Sequence, residues 1–328
     1  MKICVYGAGA VGGHIAGRLA VSQAEVSVVA RGEHLAAIRQ HGLRVETREG
    51  LLVSHPFATD QPDRLQTQDI VIVTVKAPAL PSIAENIKSL LRSDSLVLFV
   101  MNGIPWWYFH CAGGALDGTH LDRLDPQRTL WNDVGPDRAV GVVAYTACTV
   151  IAPGVVRAEN PRNRLIIGRP DGQHDERIDT LASLLTPSGV EVTVTPKIRD
   201  AIWAKLVVNL IGGSLGVLTA SPMKEVLTNP AMAAAAQAMA DEGATLARAL
   251  GCDPDTPAEG LSRLANSTHL PSIVQDLQAG RPMEIDAMFR VPLDLAELTQ
   301  VPTPHLDLIV ALATQRARAA GLYADSEG

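Results

Sequence analysis

The 328-residue chain is about twice as long as a typical single domain, which favours two domains with separate cores. Its composition, with 47% hydrophobic and 19% charged residues, is that of a folded globular protein and argues against an intrinsically disordered one. The net charge of -7 argues against a protein that binds nucleic acid through a basic surface.

The four cysteines are scattered without a CxxC or CxxH spacing, and they are Cys4, Cys111, Cys148 and Cys252. This pattern predicts a reduced protein with neither a disulfide framework nor a metal site. Lys2 and the apolar run after it resemble a signal peptide, but the glycines of that run fit a strand, a turn and a helix instead. No stretch approaches the ~20 apolar residues of a membrane span. We expect a soluble, cytoplasmic protein that binds neither membranes nor nucleic acid.

From residue 1 to about 196, strand-like runs alternate with helical ones. The predicted helices cover 10–21, 33–40 and 79–91, and the predicted strands are KICVY, EVSVVA, DIVIVTV, SLVLFV, AVGVVAYTA, GVVRAE, RLIIG and VEVTV. Runs such as IVIVTV are almost wholly apolar, which is typical of strands covered by helices on both sheet faces. The pattern predicts an α/β fold with a doubly wound, Rossmann-type N-terminal domain, whose later strands form a more antiparallel extension of the same sheet.

After Pro196 the strand signal ends. Helical patterns cover 197–219, 230–250, 257–267, 271–279, 284–300 and 303–320. Asn229 should cap the second of these helices, and Pro292 should kink or break the fifth. We therefore expect a Rossmann-type domain over 1–196 followed by an all-helical domain over 197–328.

The segment GAGAVG leaves the first predicted strand and enters the first helix, which is the context of a dinucleotide-binding fingerprint. Gly7 permits a tight turn, Gly9 lets the backbone approach a pyrophosphate, and Gly12 lets the helix pack closely on the strand. Free amides at the helix N-terminus bind phosphate. The predicted cofactor-binding residues here are Gly7, Ala8, Gly9, Ala10, Val11 and Gly12.

Arg31 follows the second predicted strand, where an NAD-specific site would carry an acidic residue for the ribose 2'-hydroxyl. A guanidinium suits the 2'-phosphate of NADP, because its planar fork binds phosphate bidentately. Glu33 is the competing acid, two residues later in the first turn of the next helix. The sequence therefore favours NADP as the cofactor.

Lys205 and Asn209 are four residues apart in an apolar helical segment and so share one helical face. A lysine in such a setting either extends its ammonium to water or lines a cleft. In a cleft that faces a nicotinamide, the ammonium could give a proton to the alkoxide that forms as hydride reaches a ketone. Both interpretations stay open on these two residues alone.

Ser272 and Glu284 lie further along the helical half. Ser272 is near a helix N-terminus, where its hydroxyl and the free amides could bind a carboxylate, although a plain helix cap explains it equally well. Glu284 precedes a helical segment, where an acid is also favoured by the helix dipole.

Together these segments resemble the ketopantoate reductase family (2-dehydropantoate 2-reductases) over nearly the whole chain. The matching segments are GAGAVG at 7–12, Arg31, VKA at 75–77, NGI at 102–104, WAKLVVN at 203–209 and PSIVQDLQAGRPMEID at 271–286. The resemblance implies a Rossmann domain joined to a helical domain, with the active site in the cleft between them. It also implies NADPH-dependent reduction of 2-dehydropantoate to (R)-pantoate, a step of pantothenate biosynthesis.

The resemblance also implies roles for single residues. Lys205 matches the general acid, and Asn209 and Ser272 match residues that bind the substrate, the latter through its carboxylate. Asn102 matches a residue that contacts both the substrate and the cofactor. Glu284 matches an acid that takes part in catalysis and lies near the cofactor. The remaining matches to cofactor-binding residues are Lys76 and Ala147.

This chain departs from the family pattern at three positions where some members carry further asparagines for the substrate, namely Gly213, Met223 and His269. After EID it reads AMFRVP, with Phe289 and Arg290, where many members have Asn-Gly. A different branched 2-oxo acid therefore remains an alternative substrate. The residues also leave open a 3-hydroxyacid-type or 6-phosphogluconate-type dehydrogenase, a non-enzymatic NADP sensor, and assembly as a homodimer.

Trp106, Trp107, Tyr108 and Phe109 are consecutive in a long connection between two predicted strands. Connections of this length are uncommon unless they are functional or disordered, and four large aromatic residues argue against disorder. We predict that the segment covers the mouth of the cleft and excludes water during hydride transfer. The competing interpretation is that these rings anchor the connection or a subunit contact.

Overall fold

The computed structural model describes residues 1–22, 24–160, 162–254 and 257–324, and it separates the chain into two compact units. Unit 1 comprises Met1–Met101 and Trp106–Ile198. Unit 2 comprises Arg199–Gly328 together with the short segment Asn102–Pro105, which lies far from the rest of that unit in sequence.

The strands of the described chain all belong to unit 1. They are β1 (Lys2–Tyr6), β2 (Glu25–Val29), β3 (Leu43–Thr47), β4 (Gly50–Ser54), β5 (Phe57–Thr59), β6 (Ile70–Val73), β7 (Leu96–Val100), β8 (Ala139–Tyr145), β9 (Cys148–Ala152), β10 (Val155–Ala158), β11 (Asn163–Gly168) and β12 (Val190–Val194). Among the described residues they form an eight-stranded sheet in the order β12-β11-β8-β7-β6-β1-β2-β5 and a four-stranded sheet in the order β4-β3-β10-β9.

The larger sheet is parallel except where β11 runs antiparallel to β8. Its helices are α1 (Ala10–Ala20), α2 (Gly32–His41), α3 (Ala84–Lys88) and α4 (Glu176–Leu185). The chain runs outward from β1 to β2 on one side and to β6 on the other. A strand order that reverses in this way leaves a crevice at the carboxyl ends of the strands, where such folds bind their ligands.

The second sheet is the main difference from the sequence-based expectation, which placed GVVRAE in an extension of the larger sheet. Instead, β10 pairs in parallel with β3 and antiparallel with β9. The strands β3, β4, β5 and β9 were not predicted, because each has at most three consecutive apolar residues and so lacks the long apolar run of a buried strand. The expected antiparallel extension exists, but β8 and β11 form it.

The small sheet packs on α1 through two glycines of that helix. A Cβ at Gly13 would lie 2.8 Å from Cγ2 of Val156, and one at Gly17 would lie 2.5 Å from Cγ2 of Val45. Any larger residue would push the sheet away from the helix. These glycines therefore serve packing, while those of the preceding turn shape the segment that faces the strand ends.

The predicted helix over 79–91 is wrong as a continuous element. The structure has two short 3-10 helices, Ala77–Ala79 and Pro81–Ile83, followed by the single turn and a half of α3. The cause is Pro78 and Pro81, since proline lacks the N–H that a continuous helix needs and clashes with the preceding turn.

The regular secondary structure of the described part of unit 2 is all helical. Its helices are α5 (Ile198–Thr219), α6 (Met223–Val226), α7 (Pro230–Ala249), α8 (Pro257–Ala265), α9 (Ser272–Gln278), α10 (Val291–Leu298) and α11 (Pro304–Ala319). The Asn229 side chain accepts hydrogen bonds from the backbone of Ala231 and Met232, which confirms the predicted cap of α7. Pro292 lies in the first turn of α10 and follows a π-helical turn, Asp286–Arg290, which confirms the predicted interruption.

Helix α5 is the one helix of the described chain that is long and apolar enough to cross a membrane by length and composition alone, with a mean hydropathy of 1.7. This corrects the expectation that no stretch approaches such a length. In the structure 67% of an 18-residue apolar stretch of α5 is buried, and such burial is also typical of the core helix of a soluble protein.

The aromatic run is buried inside unit 1. Trp106, Trp107, Tyr108 and Phe109 are each 2% exposed or less. Trp106 makes edge-to-face contacts with Phe99 and Trp131, at centroid distances of 5.5 and 6.2 Å. This burial favours the anchoring role over the predicted role as a cover that excludes water.

Candidate functional site

The glycine-rich turn between β1 and α1 has the geometry that its sequence predicts. Gly7 has φ +101°, a conformation that favours glycine, and its N–H donates to the Val29 carbonyl at 3.0 Å. A Cβ at Gly12 would overlap the Gly7 carbonyl oxygen and Oγ1 of Thr74. Gly7 and Gly12 are therefore both required for the close approach of helix and strand.

Gly9 differs from its two neighbours in the motif, because its Cβ position has nothing within 4 Å. It is exposed and is the N-cap residue of α1, where no described side chain caps the helix. Open space in front of a helix N-terminus, lined by backbone amides, fits the pyrophosphate of a dinucleotide. The turn is thus suited to hold such a cofactor.

Three predicted cofactor-binding features follow strands that are neighbours in the larger sheet. Arg31 lies two residues after β2 and is exposed, at the N-cap position of α2. Lys76 lies three residues after β6 and is half-buried. Since β2, β1 and β6 are parallel, Arg31, the glycine turn and Lys76 lie at the same edge of the sheet.

Ala147 lies between β8 and β9, in the crossing from the large sheet to the small one. Its side chain is half-buried, and its carbonyl accepts a hydrogen bond of 2.8 Å from the Glu159 backbone. Glu33, the competing acid, is exposed in the first turn of α2, as predicted.

In unit 2, the structure brings together three predicted residues from distant parts of the sequence. The ammonium of Lys205 on α5 donates a hydrogen bond of 2.9 Å to Oδ1 of Asn102. Burial lowers the pKa of Lys205 to about 8, and the negative charge of Glu284, itself only 7% exposed, opposes that shift. The snorkelling interpretation is therefore disfavoured, because the ammonium is bonded inside the protein.

Asn102 is held in place by the residues that follow it. Gly103 has φ +81°, and a Cβ there would overlap the carbonyl of Ala287. The N–H of Ile104 donates to the same carbonyl at 2.8 Å. The segment Asn102–Pro105 is thus docked on the π-helical turn after Glu284, and this explains why it groups with unit 2.

This docking contact is the part of the site that sequence reasoning missed. The signal that was available is the glycine of NGI, because a glycine directly after a polar residue at a strand end often marks a close backbone approach. Nothing in the local sequence indicates that the partner is Ala287.

Asn209 and Ser272 are less closely tied to this cluster. Asn209 lies one turn after Lys205 on α5 and is half-buried. Ser272 is exposed and is the first residue of α9. Pro271 occupies the N-cap position, so the Ser272 hydroxyl does not cap the helix. Its position at a helix N-terminus agrees with the prediction, and its role with a carboxylate remains a proposal.

The cluster has the chemistry of a proton donor. A lysine with a pKa of about 8 is mostly protonated at neutral pH and releases its proton more readily than an ordinary lysine. Asn102 accepts from the ammonium and so fixes the direction of one N–H. Among the described residues, no group of three or more His, Cys, Asp or Glu side chains is arranged to hold a metal ion.

Comparisons with known proteins assign the chain to one family. The family description "Ketopantoate reductase PanE/ApbA" matches residues 3–172, and its C-terminal counterpart matches 197–317. The chain is 36% identical to the 2-dehydropantoate 2-reductase of Mesorhizobium japonicum, covering 98% of this chain and 100% of that protein.

Solved structures share the fold. A PanE/ApbA family ketopantoate reductase from Ralstonia eutropha JMP134 is 27% identical, with a TM-score of 0.83, and the match covers 98% of this chain and 100% of that one. A D-mandelate dehydrogenase with bound NADH and anilino(oxo)acetate is 20% identical, with a TM-score of 0.82 and coverage of 98% and 100%, and at that identity it shows the fold alone.

The predicted fold class, with a Rossmann-type domain before a helical one, is confirmed. The glycine turn and the Lys205 cluster are the local features expected of an enzyme that transfers hydride with a nicotinamide cofactor. The chain belongs to the ketopantoate reductase family and is an oxidoreductase.

Proposed function

We propose that the chain reduces the ketone of a 2-oxo acid with NADPH, and that its substrate is 2-dehydropantoate, which becomes (R)-pantoate. The observation that carries this proposal is the hydrogen bond from Lys205 to Asn102 beside buried Glu284, with the lysine pKa lowered to about 8. The name of the Mesorhizobium japonicum relative supports the choice of substrate.

The residues at the strand ends would hold the cofactor. The pyrophosphate fits the amides of residues 7–12, and the exposed Arg31 guanidinium fits the 2'-phosphate that distinguishes NADP from NAD. Lys76 and Ala147 would contact the cofactor, and so would Asn102 and Glu284. When bound, NADPH supplies the hydride.

The residues of unit 2 bind the substrate and move the proton. Lys205 donates its proton to the ketone oxygen as the alkoxide forms there, while Asn102 orients the ammonium. Glu284 keeps Lys205 charged until that transfer, since its carboxylate favours the protonated form. Asn209 gives the substrate an amide, and Ser272 a hydroxyl for its carboxylate.

Cofactor binding thus belongs mainly to residues 1–196, and substrate binding and catalysis belong mainly to 197–328, while Asn102 and Glu284 contribute to both. In this account the enzyme works in the cytoplasm, in pantothenate biosynthesis, on a small-molecule substrate and without nucleic acid or membrane. This account is compatible with assembly as a homodimer.

Two further enzymatic assignments are tested by the same experiment. They are reduction of another branched 2-oxo acid, favoured by Gly213 where a further asparagine would hold the substrate, and a 3-hydroxyacid-type dehydrogenase activity. A non-enzymatic NADP sensor is disfavoured, because such a protein has no use for a buried proton donor.

The test is a panel of 2-oxo acids in the presence of NADPH or NADH, with 3-hydroxyacids and NADP⁺ or NAD⁺ as the comparison. We expect oxidation of NADPH with 2-dehydropantoate and formation of (R)-pantoate, with Lys205→Ala as the inactive control. If only the 3-hydroxyacids are turned over, the protein is a 3-hydroxyacid-type dehydrogenase and the proposal is wrong. If the protein binds NADPH but turns over none of the acids, the assignment as a non-enzymatic NADP sensor is favoured instead.

A further inference from the structure

A cavity of about 320 Å³ lies in unit 1, between the hairpin of β3 and β4 and the short turn that connects α4 to β12. It is partly open to solvent, and Arg18 in the last turn of α1 belongs to its lining. Its volume lies at the lower end of the ~300–1,000 Å³ that is typical of small-molecule pockets. Among the described residues that line it, none belongs to the predicted cofactor or substrate sites.

Arg18 brings a buried positive charge to this cavity. Its side chain is only 10% exposed. Nη1 donates to the Ser188 carbonyl, and Nε donates to Nε2 of His14 at 3.4 Å. Both acceptors are neutral at pH 7, because burial, together with the charge of Arg18, lowers the pKa of His14 to about 4. These hydrogen bonds position the guanidinium without neutralising its charge.

Glu49 supplies a negative charge close to Nη2 of Arg18. Its Oε2 lies 3.8 Å from that nitrogen, too far for a hydrogen bond, and its side chain is 72% exposed. Hydrogen bonds from the Thr47 side chain and from the backbone of Glu49 itself hold the pKa of this carboxyl below its usual value, so it is ionised at neutral pH. An exposed ion pair at this distance contributes little by itself, and a ligand can separate its two charges at small cost.

Hydrocarbon side chains complete the lining. Leu51, Leu52 and Pro187 line the same cavity, and Leu51 is 57% exposed. A ligand that covers such a side chain removes apolar surface from water, which favours binding. The cavity therefore combines one fixed cation, one mobile anion and an apolar surface.

This combination selects a ligand by its charges. A simple carboxylate would meet Arg18 but would be repelled by ionised Glu49, and a simple amine would meet the reverse. An uncharged hydrocarbon would pair with neither residue. A zwitterion with a hydrocarbon side chain complements all three parts of the lining.

We propose that this cavity binds a free α-amino acid with a hydrocarbon side chain, whose carboxylate pairs with Arg18 and whose ammonium pairs with Glu49. The hydrocarbon side chain of the ligand covers Leu51 and Leu52. The inference does not rest on the proposed function, because the site uses other residues and its test measures binding. A protein that reduces no 2-oxo acid would still bind the amino acid here.

Isothermal titration calorimetry of the intact protein with L-leucine tests this site. Three matched probes each lack one group: 4-methylpentanoate lacks the ammonium, 3-methylbutylamine lacks the carboxylate, and glycine lacks the hydrocarbon. We expect L-leucine to bind with a Kd of about 1 mM or lower. Loss of the carboxylate should weaken binding by roughly 10- to 100-fold, loss of the hydrocarbon by about tenfold, and loss of the solvent-exposed ammonium pair by about three- to fivefold.

Two results of this titration would overturn the proposal. One is the absence of L-leucine binding at about 10 mM, well above the expected Kd. The other is equal affinity for L-leucine and 4-methylpentanoate, because it would show that Glu49 does not recognise an ammonium.

Substitutions assign the binding to these residues. Arg18→Gln should weaken L-leucine binding by roughly 10- to 100-fold. The matched control is Arg48→Gln, which removes the same charge from the exposed turn next to Glu49 but lies outside the cavity lining, and it should leave Kd within about twofold of the wild type. Equal effects of these two variants would contradict the site.

Glu49→Gln decides the matter if Arg18→Gln does not fold, since Glu49 is exposed and its substitution should leave the fold intact. This variant should bind L-leucine and 4-methylpentanoate equally well, because no carboxylate is left to distinguish the ammonium. Glu46→Gln, in the same hairpin but outside the cavity lining, should keep the wild-type preference for L-leucine. A Glu49→Gln variant that also keeps this preference would show that the proposal is wrong.

Discussion

The glycine turn and the Lys205 cluster are built in opposite ways. The turn uses consecutive residues, 7–12, and depends on the absence of side chains where backbone must approach backbone. The cluster uses Asn102, Lys205 and Glu284, which come from three separate segments and depend on side-chain charge in a buried place. A local motif can therefore specify the first, whereas the second exists only once unit 2 has folded.

This difference predicts how mutations act. In the turn, a substitution that adds a Cβ should disturb packing where that Cβ would meet neighbouring backbone. It should lower cofactor affinity where that Cβ would face open space. Changes in the cluster should affect the chemical step and its dependence on pH.

The largest effect is expected for Lys205→Ala. Removing the proposed general acid should lower kcat by about 10²–10⁴-fold, because the ketone oxygen must then take its proton from water. NADPH affinity, measured by fluorescence titration, should stay within a few-fold of the wild type. A variant that keeps most of its turnover would show that the lysine is structural.

Arg31→Ala should separate the two cofactors. Loss of one charge-assisted contact to the 2'-phosphate costs ~1.5–3 kcal/mol, or roughly 10- to 150-fold in NADPH affinity. NADH lacks that phosphate and should lose little. The measurement is Kd for both cofactors, and equal losses would contradict the assignment of NADP.

Gly12→Ala and Gly9→Ala form a matched pair within the turn. The Cβ at position 12 overlaps the Gly7 carbonyl, so the free energy of unfolding should fall by about 1–3 kcal/mol. The Cβ at position 9 meets nothing within 4 Å, so stability should change by less than about 0.5 kcal/mol while NADPH affinity falls. Thermal unfolding with and without NADPH measures both, and equal destabilisation of the two variants would refute the distinction.

The last prediction concerns pH. Lys205 must be protonated to act as an acid, and burial lowers its pKa to about 8, so the reduction rate should be level below pH 8 and fall about tenfold per pH unit above it. The reverse oxidation needs the neutral amine and should rise through the same range. Glu284→Gln should move the midpoint to lower pH, because it removes the charge that favours the ammonium. A pH profile without an inflection between 7 and 9 would contradict the role of Lys205.

The contribution of Lys205 to the stability of the fold should change with pH in the direction opposite to the reduction rate. Folded Lys205 loses its proton near pH 8, while an unfolded lysine keeps it to about pH 10.4. Between these values the unfolded state binds more protons, so the contribution of Lys205 to the free energy of unfolding rises with pH.

Much of this architecture follows from the sequence. The apolar runs of β6 and β7 mark buried strands, and Asn229 with Pro230 marks the start of α7. The strands β3, β4 and β9 were missed because half-exposed strands have a weak hydrophobic pattern. The helix over 79–91 was wrong because its prolines divide the apolar pattern into separate short turns.

The sequence by itself determined the glycine turn, the arginine after β2 and the lysine–asparagine pair on α5, since each depends on spacing within one element. Only the tertiary structure decided that Asn102 meets Lys205, because Gly103 and Ile104 dock on Ala287 far along the chain. It also decided that the aromatic run is core and that Phe289 lies against Gly213. The physical reason is that burial and packing are properties of surfaces brought together by the fold, and no local pattern records which surface covers which.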